Sequence, residues 1–158
     1  LEAEMNWFIT NKWVLNAGLG ILEANRQSYD DPSGVIPSRN LANTPSYNYN
    51  ARLSYREEGG LFGNIEIVGR DDYFESNSHN EKRDAFGVVN ASIGYQYENW
   101  KFTLWVKNLF DESYQKRVFF FGNRFNTSTA NPFDFESDRR YEDPADPRNF
   151  GVTANYSW

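Results

Sequence analysis

Asn149-Phe150-Gly151-Val152-Thr153-Ala154-Asn155-Tyr156-Ser157-Trp158 closes the sequence, and its alternation decides the fold. Successive side chains of an extended strand point to opposite faces. Phe150, Val152, Ala154, Tyr156 and Trp158 then share one face; Gly151, Thr153, Asn155 and Ser157 share the other. One face is apolar and rich in rings, the other small and polar. Termini ordinarily fray into water, where Trp158 would bury nothing. The pattern fits a strand with lipid against its apolar face and a terminal aromatic at the membrane interface.

Six further strands are expected from the same period of two, at about residues 1–8, 13–26, 47–56, 61–73, 84–97 and 100–119. The cleanest is Tyr47 to Arg56, where Tyr47, Tyr49, Ala51, Leu53 and Tyr55 alternate with Asn48, Asn50, Arg52, Ser54 and Arg56. The phase blurs at Asn108-Leu109-Phe110-Asp111, which reads as a bulge in a strand that continues past Tyr114. Connections alternate in length: 9–12, 57–60 and 98–99 are short, whereas 27–46, 74–83 and 120–146 are longer and polar. Tight turns on one side and long loops on the other mark an outer-membrane barrel. Aromatics gather beside the short turns (Trp7, Phe8, Trp13, Tyr55, Phe62, Tyr95, Tyr97, Trp100, Phe102, Tyr156, Trp158) and read as one interfacial girdle. Tyr47, Tyr49, Tyr73, Phe86 and Tyr114 are expected to form the other. Arg52, Glu66, Arg70, Lys101 and Lys107 all fall on the polar face.

Composition agrees. The 158 residues include 18% aromatics, yet mean hydropathy is −0.76, as expected where half of every strand faces water. No apolar run is long enough for a spanning helix. Without cysteine there is no disulfide framework. A net charge of −6 speaks against nucleic acid as a partner. Leu1 to Trp7 already alternates, with no signal-peptide pattern ahead of it, so a longer protein is expected. Seven spanning strands also cannot close by themselves, because open edges leave backbone groups unpaired in hydrocarbon. Soluble β-sandwiches alternate too. A carbohydrate-binding sandwich and a porin-like channel are the alternative readings.

Asn108-Leu109-Phe110-Asp111, with Tyr114 three residues on, resembles the Asn-Leu-Phe-Asp-x-x-Tyr motif in the penultimate strand of TonB-dependent outer-membrane receptors. Asp146-Pro147-Arg148, followed by Gly151 and the closing alternation, resembles that family's last strand. Members usually end in Phe; this chain ends in Trp158. The resemblance implies an all-β, antiparallel, up-and-down transmembrane barrel of about 22 strands, of which residues 1–158 would be the last seven. It implies a plug domain and a TonB box elsewhere, and active transport of a ferric siderophore or similar scarce nutrient across the bacterial outer membrane. It implies no catalysis and no cofactor. Partners would be outer-membrane lipid, TonB, and the barrel assembly machinery, which would recognise Phe150, Val152, Ala154, Tyr156 and Trp158 as an assembly signal.

Candidate ligand-facing residues are Arg117, Phe119, Phe120, Phe121, Arg124, Arg139 and Arg140. Guanidinium groups bind anions through charge-assisted hydrogen bonds, and successive exposed rings need something to pack on. The competing expectation for the arginines is ion pairing with Asp134, Glu136, Asp138, Glu142 and Asp143. His79 is the only histidine and is expected to be solvated in its loop. Asp30-Asp31 and Asp71-Asp72 lack the spacing of a calcium loop, so no metal site is expected.

Overall fold

A computed structural model describes residues 1–32, 34–77, 80–121 and 139–158, and for residues 31, 120, 121 and 139 the backbone alone. Strands β1 (Glu2–Phe8) and β2 (Trp13–Ile21) form a hairpin. The next excursion holds two small hairpins, one nested in the other: β3 (Asn25–Arg26) pairs with β6 (Arg39–Asn40), and between them β4 (Tyr29–Asp31) pairs with β5 (Gly34–Ile36). Strands β7 (Tyr47–Arg56) and β8 (Leu61–Arg70) follow, then a small hairpin of β9 (Tyr73–Phe74) and β10 (Lys82–Arg83). After β11 (Phe86–Tyr97) and β12 (Trp100–Lys107) comes a hairpin of β13 (Gln115–Phe121) and β14 (Arg139–Pro144), and β15 (Asn149–Tyr156) ends the chain.

Seven of these strands pair antiparallel in the order β1-β2-β7-β8-β11-β12-β15. Register lines up apolar residues on one face. Met5, Ala17, Ala51, Ile67 and Val89 run in line across five strands. Ile93, Leu104 and Val152 run in line across three. The opposite face carries an equally continuous polar row of Asn6, Asn16, Arg52, Glu66 and Asn90. This is a section of barrel wall with two outer edges, β1 and β15, rather than a closed barrel. Tyr73 and Val88 are the only buried hydrophobic residues among those described, whereas Phe150 and Val152 are 75% and 73% exposed. A sandwich would cover one face with a second sheet; among the described residues none packs there.

The turns explain the register. Thr10 Oγ1 accepts from the backbone N–H of Trp13 at 3.1 Å and closes the first hairpin. Lys12 reaches across to Glu57 in the neighbouring turn. Glu98 carries a φ of +51° in the two-residue turn between β11 and β12, the left-handed geometry that tight hairpins need.

Several expectations change. The second, fourth and fifth strands are shorter than their alternation, because the chain leaves the wall at Ile21 and Arg70 and re-enters at Phe86. The long loops are not bare: they fold into the small hairpins just named. Asn108 to Asp111 is a turn, not a bulge. Asn108 and Asp111 both have positive φ, +52° and +59°, and β13 pairs with β14 instead of extending β12. A bulge and an exit both interrupt the period, so phase by itself does not separate them. Parity also corrects the girdles. Phe8 and Phe62 stand at the right height on the polar face, in register with Val14 and Gly94. Phe86 is in register with Arg70 on that face and stacks on Tyr114 at 4.2 Å, and Tyr73 is buried. None of these three lies in an outer girdle. On the apolar face rings do pack beside the short turns: Trp13 on Tyr55, and Trp100 on both Phe102 and Tyr156.

Candidate functional site

The polar face is the surface with chemistry on it. Across its middle, Asn16 Nδ2 donates to Asn6 Oδ1 at 2.5 Å. Arg52 donates from Nη2 and Nε to Glu66 Oε1, at 2.6 and 3.2 Å. Asn90 donates to the other Glu66 oxygen at 3.4 Å. Lower down, Lys101 sits 4.6 Å over the Phe62 ring, and Trp105 Nε1 donates to Thr153 Oγ1 at 3.2 Å. The Arg52–Glu66 pair is partly exposed, so it contributes only about 0–1 kcal/mol to stability. Its effect is to hold charge on this side of the sheet.

At the long-loop end the polar face runs into the small hairpins, which are tied to one another. Ala42 N–H donates to Asn77 Oδ1 at 3.0 Å, and Asn43 N–H to the Phe74 carbonyl at 2.9 Å. Arg140 on β14 donates from Nη2 and Nε to the two Glu75 carboxylate oxygens, at 2.7 and 3.0 Å, and also pairs with Glu142. The Glu75 side chain is 1% exposed. Hydrogen bonding and charge from Glu75 push the Arg140 guanidinium above its ordinary value. Arg140, expected to meet either a ligand or its own acidic neighbours, is chiefly a strut between two loops. Glu142 fulfils the ion-pairing expectation, but Glu75 was invisible to it because it lies 65 residues away.

The remaining candidates divide. Arg117 is exposed on β13. Phe119 stacks on Tyr141 across the β13–β14 hairpin at 5.6 Å. Arg124, His79, Asp134, Glu136 and Asp138 lie outside the described residues, as do the side chains of Phe120, Phe121 and Arg139. Lys82 pairs with Asp72 at 3.1 Å. A cluster missed by the alternation comes from separate segments: Arg70, Tyr73, Arg83, Phe86 and Tyr114. The Arg70 guanidinium lies 4.7 Å from the Tyr73 ring and 4.8 Å from Phe86, and Arg83 lies 5.2 Å from the same Tyr73. The available signal was the parity of Arg70 and Phe86, which share a face at one end of adjacent strands.

Below this rim the two sequence motifs clasp each other. Asn108 is 4% exposed. Its Nδ2 donates to the carbonyls of Glu112 and Asp146, at 2.9 and 3.3 Å, and its Oδ1 accepts from Glu112 N–H at 2.8 Å. Its own N–H donates to Asn90 Oδ1 at 3.0 Å. Asp111 Oδ1 accepts from Arg148 N–H at 2.7 Å. Lys116 donates to Asp146 at 2.8 Å; that bond and the lysine charge hold the Asp146 carboxyl below the usual carboxylate range. The motif residues thus form the joint through which β12 leaves the wall and β15 rejoins it. Asn90, Asn108, Tyr114 and Asp146 also line a cavity of about 400 Å³ on the polar face.

A family model described as TonB dependent receptor-like, beta-barrel matches residues 1–109. Among solved structures, the chain is similar to the ferric yersiniabactin uptake receptor FyuA from Yersinia pestis, at 14% identity and a TM-score of 0.67, over 98% of this chain and 22% of that one. It is similar to the siderophore receptor PiuA from Acinetobacter baumannii, at 17% identity and a TM-score of 0.70, over 98% and 21%. The copper transporter OprC matches at 19% identity and a TM-score of 0.62, over 99% and 22%. At these identities the likeness carries the fold. The chain spans about a fifth of the length of each.

Proposed function

The chain belongs to the TonB-dependent receptor-like β-barrel family, and from that premise we propose that it forms a sector of the wall of an outer-membrane active transport receptor. The family is one of transport receptors, so this sector's role is to enclose and guide rather than to catalyse. Its seven strands are the last of about 22, with the remaining strands paired onto the β1 and β15 edges and a plug domain against the polar face. The cargo is a metal chelate, a ferric siderophore or similar nutrient, and TonB supplies the driving energy through the plug. Phe150, Val152, Ala154, Tyr156 and Trp158 meet lipid and serve as the assembly signal.

The observation that carries this reading is the division of the sheet into two unlike faces. Five adjoining strands keep a continuous apolar row on one face and a continuous polar row, with the Arg52–Glu66 pair at its centre, on the other. At mid-depth on a lipid face, Arg or Lys would cost about 2–4 kcal/mol; on a water-filled lumen they cost little. The reading is tested by uptake of radiolabelled iron chelates in cells carrying or lacking the full-length receptor. Uptake is expected to need both the receptor and TonB. Undiminished uptake in cells without TonB would contradict it.

A further inference from the structure

Arg148 is a cation beside the apolar face. It precedes Phe150 by two residues, so alternation puts it on the apolar side where the chain enters β15. The residue is exposed. Its guanidinium donates from Nη1 to the Leu109 carbonyl at 3.5 Å, and no carboxylate pairs with it among the described residues. Asp111 bonds its backbone N–H instead. Arg52, Lys82, Lys116 and Arg140, by contrast, each pair with a carboxylate. At the same Leu109 begins a groove of about 350 Å³ on the apolar face, lined also by Ala91, Ile93, Leu104, Val106 and Phe150. Ala91 gives the groove its depth, because it stands in register between Ile65 and Val106, both branched and larger. Leu109 is level with Val89, whose carbonyl accepts its N–H at 2.8 Å. Ile93 lies two pleats further along, so the groove extends about 14 Å.

We propose that Arg148 and the groove from Leu109 to Ile93 hold one phosphate-bearing anionic lipid of the leaflet on the long-loop side. Its phosphate sits on the guanidinium and one acyl chain lies in the groove. This rests on the reading of the apolar face as the lipid-facing one. A cation is costly at mid-depth in hydrocarbon and nearly free at its border, and Arg148 stands at a border. It precedes Tyr156 by eight residues, about 27 Å along an extended strand and about 20 Å along the membrane normal at a tilt of about 40°. The apolar band is about 25 Å tall. With Trp100 packed on Tyr156 at one edge of the band, Arg148 reaches headgroup level at the other. Its planar N–H fork matches two phosphate oxygens. A neutral occupant would leave the guanidinium unpaired, and the transported cargo belongs to the opposite face of the sheet.

The test uses the full-length receptor in nonionic detergent, titrated with phosphatidylglycerol and read by native mass spectrometry. Arg148→Gln should weaken one lipid-binding step by about tenfold or more, as loss of a charge-assisted bond does. Ala91→Phe, which fills the groove with a ring, should weaken the same step. Lys101→Gln, on the polar face, should leave it unchanged. Diacylglycerol with the same chains, lacking the phosphate, should be held about tenfold more weakly, and inorganic phosphate at equal concentration should not displace the lipid. Undiminished binding in either variant, equal retention of diacylglycerol, or displacement by inorganic phosphate overturns the proposal. A dimer of receptors that Ala91→Phe splits would put a second copy on the groove and overturns it too. In the wild type, phosphatidylglycerol should protect Arg148 from phenylglyoxal better than diacylglycerol does, a readout independent of whether variants fold; equal modification overturns the proposal as well. TonB-dependent chelate uptake that persists despite any of these failures leaves the transport reading standing, so the two are separable.

Discussion

Asn108 shows how much one side chain does in this wall. It adopts a positive φ that Asn tolerates better than most residues, and its amide satisfies one N–H and two carbonyls. Asn108→Ala removes the bonds and strains the backbone, and should destabilise the folded receptor by about 2–4 kcal/mol, the sum of lost buried hydrogen bonds and a strained turn. Asn108→Gly keeps the backbone freedom and should lose less. Asn108→Asp keeps the acceptor but turns a carboxylate toward two carbonyls, so it should be no better than alanine. Urea unfolding of the three variants in detergent gives the order. At the same joint, Asp146 titrates below the usual carboxylate range because Lys116 bonds its charged form. The sign follows: a depressed folded pKa gives stability present above the unfolded carboxyl pKa and lost as pH falls through the lower, folded one. Lys116 is raised by the same bond, so its share is present below the usual lysine pKa and is lost only in strong alkali. An NMR titration should find the Asp146 midpoint moving up toward the ordinary value in Lys116→Met; an unmoved midpoint would deny the coupling.

At the scale of elements, loop hairpins are held by long-range pairs and wall strands by their faces. Glu75 is almost wholly buried while Arg140 is partly exposed. Removing Arg140 therefore strands a buried carboxylate, whereas removing Glu75 leaves a cation that can reach water and Glu142. Arg140→Ala should cost about 3–5 kcal/mol and Glu75→Ala clearly less. Protease sensitivity of the external loops on intact cells, followed alongside thermal unfolding, should show that ranking. In β15, Val152→Arg should cost about 2–4 kcal/mol of insertion energy, whereas Thr153→Arg on the other face should be tolerated. Folding into lipid vesicles measures both. The wall strands are legible in the sequence because one apolar and one polar face write a period of two. Phe8, Phe62 and Phe86 fall outside the girdles by parity, which ring content does not override, and Tyr73 does so because the wall strand ends at Arg70. The hairpins inside residues 22–46 and 71–85 were not legible, since their short strands are held by contacts such as Arg39 to Ser76 and Asn80 rather than by any local pattern.

For the whole molecule, the sheet's two edges and two faces define what it needs. On the proposed reading, backbone groups at β1 and β15 pair with further strands of the barrel, and the polar face meets water or protein. The site was only partly legible. The closing motif and its partner at Asn108 could be read as a pair, but the clasp between them, the Glu75–Arg140 strut and the Arg70–Tyr73–Arg83 cluster arise where segments far apart in sequence meet. These 158 residues contain no cysteine, so once any cysteine elsewhere in the full-length receptor is replaced a direct measurement is open. Single substitutions Leu104→Cys, Val152→Cys and Ala154→Cys on one face, and Thr103→Cys, Thr153→Cys and Asn155→Cys on the other, can be probed in the full-length receptor in a bilayer with a charged thiol reagent. Fast labelling at the second set and near-silence at the first is the predicted result; equal labelling of both sets would contradict the two-solvent wall from which everything else is derived.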